Sequence, residues 1–147
     1  MRCTNLFSIF LFLLFTGCNK DKYETTPSLK FKDVNTTYLV PGSTLQFTLS
    51  FTDKEGDLTD SVYVEKYVPY CSASSFSGWH ALPTFPLSKN QQGDLTVNFE
   101  YNGSGTYQNI APQCQENDTA VFRFALKDKA QHISDTVSSP PVIIIYQ

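Results

Sequence analysis

A chain of 147 residues with 41% hydrophobic side chains is one domain's worth, enough to bury a real core. Fourteen acidic against eleven basic side chains give a net charge of −3, and the lysines are scattered, which excludes the basic stripe that nucleic-acid binding needs. Two histidines and four cysteines with no CxxC spacing do not make a cysteine-ligated zinc site.

Met1-Arg2 is a cationic start, residues 6–15 are apolar, and Thr16-Gly17-Cys18 closes the run. The run is too short to span a hydrocarbon core of ~30 Å as a helix, so it reads as a secretory signal. Cysteine directly after Thr-Gly resembles the lipobox of bacterial lipoproteins, with Phe15 where that family usually has Leu. The resemblance implies cleavage before Cys18, acylation of Cys18, and a membrane anchor held by several acyl chains. The alternative is an ordinary secretory signal cut elsewhere. Asn19, rather than Asp, after the lipidated cysteine favours the outer membrane in the best-known sorting rule of that family. Residues 1–17 are therefore a leader, 18–28 a polar tether ending at Pro27-Ser28, and 29–147 the folded domain. Removing Arg2 with the leader leaves ten basic against fourteen acidic side chains, a charge of −4.

Short β-prone runs follow, separated by turn residues. Residues 29–31 and 38–40 are brief, and Pro41-Gly42 halts the second. Residues 45–51 alternate strictly, with Leu45, Phe47, Leu49 and Phe51 on one face. Residues 61–68, 95–101, 120–126 and 142–146 repeat that period-two pattern. No window carries a capped helical period, while 69–88 and 102–118 read as loops. About seven short strands without crossover helices predict an all-β, antiparallel, immunoglobulin-like sandwich.

Once the leader is removed and Cys18 acylated, Cys71 and Cys114 are left as a single candidate disulfide of an exported domain. The alternative is two buried free thiols. The antibody pattern does not fit, because Trp79 lies only eight residues after Cys71 and Pro112 takes the place of the corner tyrosine.

The densest chemical motif is Phe-Thr-Asp-Lys-Glu-Gly-Asp-Leu at 51–58. Asp53, Glu55 and Asp57 alternate around Gly56 at a strand end, and Asp128 ends a later strand on the alternate-loop end of a sandwich. Converging carboxylates suit a hard cation, so these four form a candidate calcium site, and a solvated turn is the plain alternative. Together with Phe-Arg-Phe-Ala-Leu-Lys-Asp-Lys-Ala-Gln-His-Ile-Ser at 122–134, the motif resembles exported lipoproteins of Gram-negative bacteria that carry an immunoglobulin- or cadherin-like domain. Their Asp-x-Asp-Gly-Asp loop has Asp where Glu55 stands, and their second loop has Gly-Asn where Gln131-His132 stand. That resemblance implies a β-sandwich lipoprotein of mostly unassigned function.

Tyr63, Tyr67, Tyr70, Phe76 and Trp79 crowd one stretch of chain, and Tyr70, Phe76 and Trp79 are candidate ligand-binding rings if they lie outside the core. Asp60-Ser61-Val62, Asp118-Thr119-Ala120 and Asp135-Thr136-Val137 resemble the O-glycosylation acceptor of some Gram-negative lipoproteins, at Ser61, Thr119 and Thr136. Gly-x-Ser-x-Gly, HExxH and phosphate-loop patterns do not occur in the chain. The expectation is a non-catalytic, lipid-anchored envelope module that binds a protein or a glycan, with a structural subunit of an envelope complex as the alternative. Calcium is the candidate cofactor and no nucleic-acid partner is expected.

Overall fold

Alternating apolar and polar side chains build ten strands, and among the described residues there is no α-helix. The computed structural model describes residues 25–58, 60–84, 86 and 88–147. Cys18, the leader 1–17 and most of the tether lie outside them. The strands are β1 (Ser28–Val34), β2 (Tyr38–Leu39), β3 (Thr44–Asp53), β4 (Ser61–Tyr67), β5 (Phe76–Ala81), β6 (Gln91–Glu100), β7 (Gln108–Asn109), β8 (Asp118–Lys127), β9 (Val137–Ser138) and β10 (Val142–Ile144).

One sheet runs β1-β3-β6-β7 and the other β2-β10-β8-β4-β5, with β9 beside β8. This is an immunoglobulin-like order, with β1, β3 and β6 in one sheet and β10, β8, β4 and β5 in the facing one. β1 and β2 act as two halves of one split edge strand. The chain leaves the first sheet after a register shift between Phe31 and Asp33, pairs with β10, and returns through Gly42 (φ +80°). The long pairings are antiparallel, as expected. Two short parallel ones join two residues each: β2 with β10, from distant segments, and the end of β6 with β7, which follows it after a short loop.

The core lies between β3 and β8. Leu45, Phe47, Leu49 and Phe51 are buried opposite Ala120, Phe122, Phe124 and Leu126. Phe47 is its centre, with ring centroids 4.7 Å from Phe122, 5.2 Å from Phe124 and 6.3 Å from Phe99. Cys71, just after β4, is bonded to Cys114, which precedes β8 (Cα–Cα 6.0 Å). The bridge thus clamps two loops at one end instead of crossing the core.

The stretch 69–88 is not all loop. β5 lies within it, carrying Trp79 opposite Tyr63. Its Phe-Ser-Gly-Trp-His-Ala sequence hides the period because Gly78 and His80 occupy two of its three inward positions.

Candidate metal cluster and aromatic face

Asp53 continues the inward series of β3 and is 2% exposed. A carboxylate so placed must be satisfied locally. Its Oδ1 accepts from the Glu55 N–H (3.1 Å), and its Oδ2 accepts from the N–H groups of Asp57 (2.9 Å) and Leu58 (3.0 Å). The chain therefore wraps around Asp53. Gly56 makes the bend at φ +76°, where an added Cβ would meet the Ser88 carbonyl oxygen at 2.0 Å. Leu58 then drops into the core.

Asp128 follows β8 and is fully buried. Its Oδ1 accepts the His132 backbone N–H (2.8 Å), and its Oδ2 lies 3.0 Å from His132 Nδ1. The turn closes through Asp128 N–H to His132 O and Gln131 N–H to Asp128 O. Gln131 holds φ +71°, at the position where the resembling lipoproteins have glycine. The Lys129 N–H donates to the Asp57 carbonyl and so ties the two loops together.

This brings a carboxylate oxygen of Glu55, one of Asp128 and a ring nitrogen of His132 within 4.8 Å of one another. Asp57 adjoins them electrostatically. Burial, then the charges of Asp128 and Asp53, push its carboxyl above the usual range, against its own backbone hydrogen bond and His132. Its Oδ1 is shielded and has no hydrogen-bond partner among the described residues.

Of the four acids expected to bind a cation, Glu55 and Asp128 converge and Asp57 stands beside them. Asp53 is not among the converging ligand atoms; its oxygens accept three backbone N–H groups and shape the loop instead. His132, which was not among the expected ligands, is the addition. Its signal was available: it lies four residues after Asp128 in the same turn.

The solvent face of the β4-β8-β5 sheet carries the second cluster. Trp79, 42% exposed, packs on Tyr63 with centroids 5.4 Å apart, and Lys127 Nζ sits 4.8 Å above the indole. Arg123 lies 5.1 Å over Tyr67 and pairs with Glu65, while Lys127 pairs with Asp60. The Asp60 carboxyl is held below its usual range by Ser61 and then Lys127. Ala125, opposite Tyr63 in register, is buried although it points outward.

The three rings expected to bind ligand do not meet. Phe76 turns inward and packs against Phe99 (5.8 Å), so it is not a surface ring. Tyr70 is half exposed, but its hydroxyl donates to the Asn117 carbonyl and accepts from the Thr119 N–H, both at 2.6 Å. Trp79 alone stays on the open face. Among the glycan acceptors, Thr119 and Thr136 are exposed. Ser61 is buried with its hydroxyl on Asp60 Oδ2 and is withheld by the fold.

No protein-family profile matches the chain, and no curated protein does. Solved structures overlap it loosely. The Spo0M sporulation control protein of Bacillus subtilis gives a TM-score of 0.46 at 8% identity, covering 83% of this chain, which spans 50% of that one. A Niemann-Pick type C2 protein from the Japanese carpenter ant gives 0.43 at 12% identity over 80% of this chain and 92% of that one. The CARDB domain of the PF1109 protein from Pyrococcus furiosus, solved with di-metal ions, gives 0.32 at 11% identity over 83% and 93%. At such identity and overlap, none of the three lends its ligand or role to this chain.

Proposed function

We propose that the chain is an exported, lipid-anchored, non-catalytic module of the bacterial outer membrane, which docks a glycan or protein on the aromatic face of its second sheet. The supporting observation is the partly exposed Trp79 ring, held between Tyr63 of β4 and the Lys127 ammonium of β8. A ring so held offers its exposed part to a sugar or an apolar side chain at little entropic cost. Lipidation at Cys18 would tether that face to the membrane.

The loop cluster would brace the neighbouring end with a divalent cation. Carboxylates of Glu55, Asp57 and Asp128 serve calcium, whereas the His132 imidazole favours a zinc-class ion.

The sole tryptophan makes the docking face directly readable. Titrating the protein with envelope polysaccharides or membrane extracts should shift or quench Trp79 emission, and in a pull-down, which needs no tryptophan signal, Trp79→Ala should abolish capture while the domain still melts cooperatively. Ligand capture that survives Trp79→Ala would move the docking site elsewhere.

A structural subunit is the second reading, favoured by β5. Among the described residues that strand pairs only with β4, carries no charge and has Gly78 at its middle, whereas edge strand β1 is guarded by Lys30, Lys32 and a register shift. Recovery of the protein in a stable envelope complex that Ser77→Pro disrupts would favour this reading.

A further inference from the structure

Lys66 is the anomaly of the core. It belongs to the inward series Val62, Val64, Lys66, Val68, stands in register between Phe122 of β8 and Phe76 of β5, and is 1% exposed. Its Nζ donates to Asp118 Oδ2 at 2.7 Å and to the Ile110 carbonyl oxygen at 3.4 Å. Asp118 is fully buried, and its Oδ1 has no hydrogen-bond partner among the described residues. A solvent-free ion pair with an orphaned oxygen is an expensive way to fill a core, because desolvating the two charges offsets much of their attraction. Burial accordingly pushes the Lys66 amine below its usual range, opposed by the hydrogen bond and charge of Asp118.

We propose that Lys66 and Asp118 are joined in the folded protein by an intramolecular amide between Nζ and Cγ. Proton transfer along the 2.7 Å contact turns the ion pair into a neutral amine and a neutral acid, which dry surroundings favour. The amine lone pair attacks Cγ and forms the Nζ–Cγ bond. The proton lost from Nζ joins the departing hydroxyl, the Cγ–O bond breaks, and one water leaves. No oxidant, reductant or activated co-reactant is consumed.

Held geometry replaces chemical activation, since well-oriented partners reach effective molarities of ~10⁵–10⁸ M. The water has somewhere to go. Lys66 borders a recess of about 160 Å³ that Ser74, Ser75, Asn109 and Gln113 also line. The product leaves no buried charge at either residue. It ties the penultimate residue of β4 to the first residue of β8, at the end that Cys71–Cys114 also closes. One of these two cross-links would survive reducing agents, which suits a domain exposed to the envelope.

The test is the intact mass of the mature protein, denatured and fully reduced, followed by tryptic mapping. The expected mass is one water below that of the chain, with no cleavage after Lys66 and the Lys66 peptide joined to the one that contains Asp118. Lys66→Arg keeps the charge but not the nucleophilic amine, and should restore the full mass. A wild-type chain of full mass that trypsin cuts after Lys66 would overturn the proposal and leave an ion pair. A water loss that maps to any other residue would overturn it equally.

Discussion

Asp128 holds His132 at two points, its backbone N–H at 2.8 Å and its Nδ1 at 3.0 Å. Nδ1 faces the carboxylate, so an ion shared by Asp128 and the ring would take the Nδ1 lone pair, with the ring proton on Nε2. The carboxylate that orients the ring also contributes an oxygen to the cluster with Glu55.

Zinc should therefore stabilise the domain more than calcium does. At a hundredfold excess over Kd either ion would add about 2.7 kcal/mol, so the separation shows in the concentration each needs. His132→Ala should remove the zinc gain, and Glu55→Gln should weaken both. Thermal melts in chelated protein with each ion returned would show this, and a melting temperature unmoved by either ion removes the metal reading.

Asp57 has the opposite sign without metal. An acid whose pKa folding raises favours the fold below its ordinary value of 3.8 and loses that contribution as pH climbs through the raised value. Its charged form at neutral pH is thus a cost, imposed first by burial and then by Asp128 and Asp53. Asp57→Asn should stabilise the metal-free protein at pH 7, with a gain that shrinks toward zero as the pH drops below 4. Denaturant unfolding at several pH values measures it, and a gain independent of pH would refute the electrostatic account.

Gly56→Ala should cost at least about 2 kcal/mol, since a left-handed backbone disfavours any Cβ and this one would also strike the chain. The obstacle is the Ser88 carbonyl oxygen, 2.0 Å from where the Cβ would sit, which is backbone and cannot rotate aside. Gly42→Ala meets nothing within 4 Å and should show the conformational penalty alone. Equal losses for the two variants would mean that the loop shifts freely.

The sandwich was legible because period-two burial writes itself into Leu45, Phe47, Leu49 and Phe51, and again into Phe122, Phe124 and Leu126. The two cysteines were legible because reading residues 1–17 as a leader and Cys18 as a lipid acceptor left no other pair, and Cys71 and Cys114 are indeed bonded. β5 was hidden, since glycine and histidine at inward positions erase the alternation. The acidic loop was visible as a group but not in its division of labour. Asp53, Glu55 and Asp57 look alike in sequence, and only burial decides which one must satisfy the backbone and which remains free for an ion. Lys66 falls on the inward phase of its strand, but the partner that makes a buried lysine tolerable, Asp118, lies 52 positions away and leaves no local signal.

The disulfide offers a quantitative check that also bears on the Lys66–Asp118 pair. Cys71 and Cys114 are 43 positions apart, and opening such a loop costs about 4 kcal/mol on the chain-entropy model. If Lys66 and Asp118 are already joined, the bridge closes only the short ring of residues 66–71 and 114–118, which lowers its contribution to about 3 kcal/mol. Reduction should therefore destabilise Lys66→Arg by roughly 1 kcal/mol more than the wild type, after the variant's own loss is subtracted. Urea unfolding of both proteins with and without reductant completes the cycle. An equal penalty in the two backgrounds would mean that nothing covalent links β4 to β8 in the wild type.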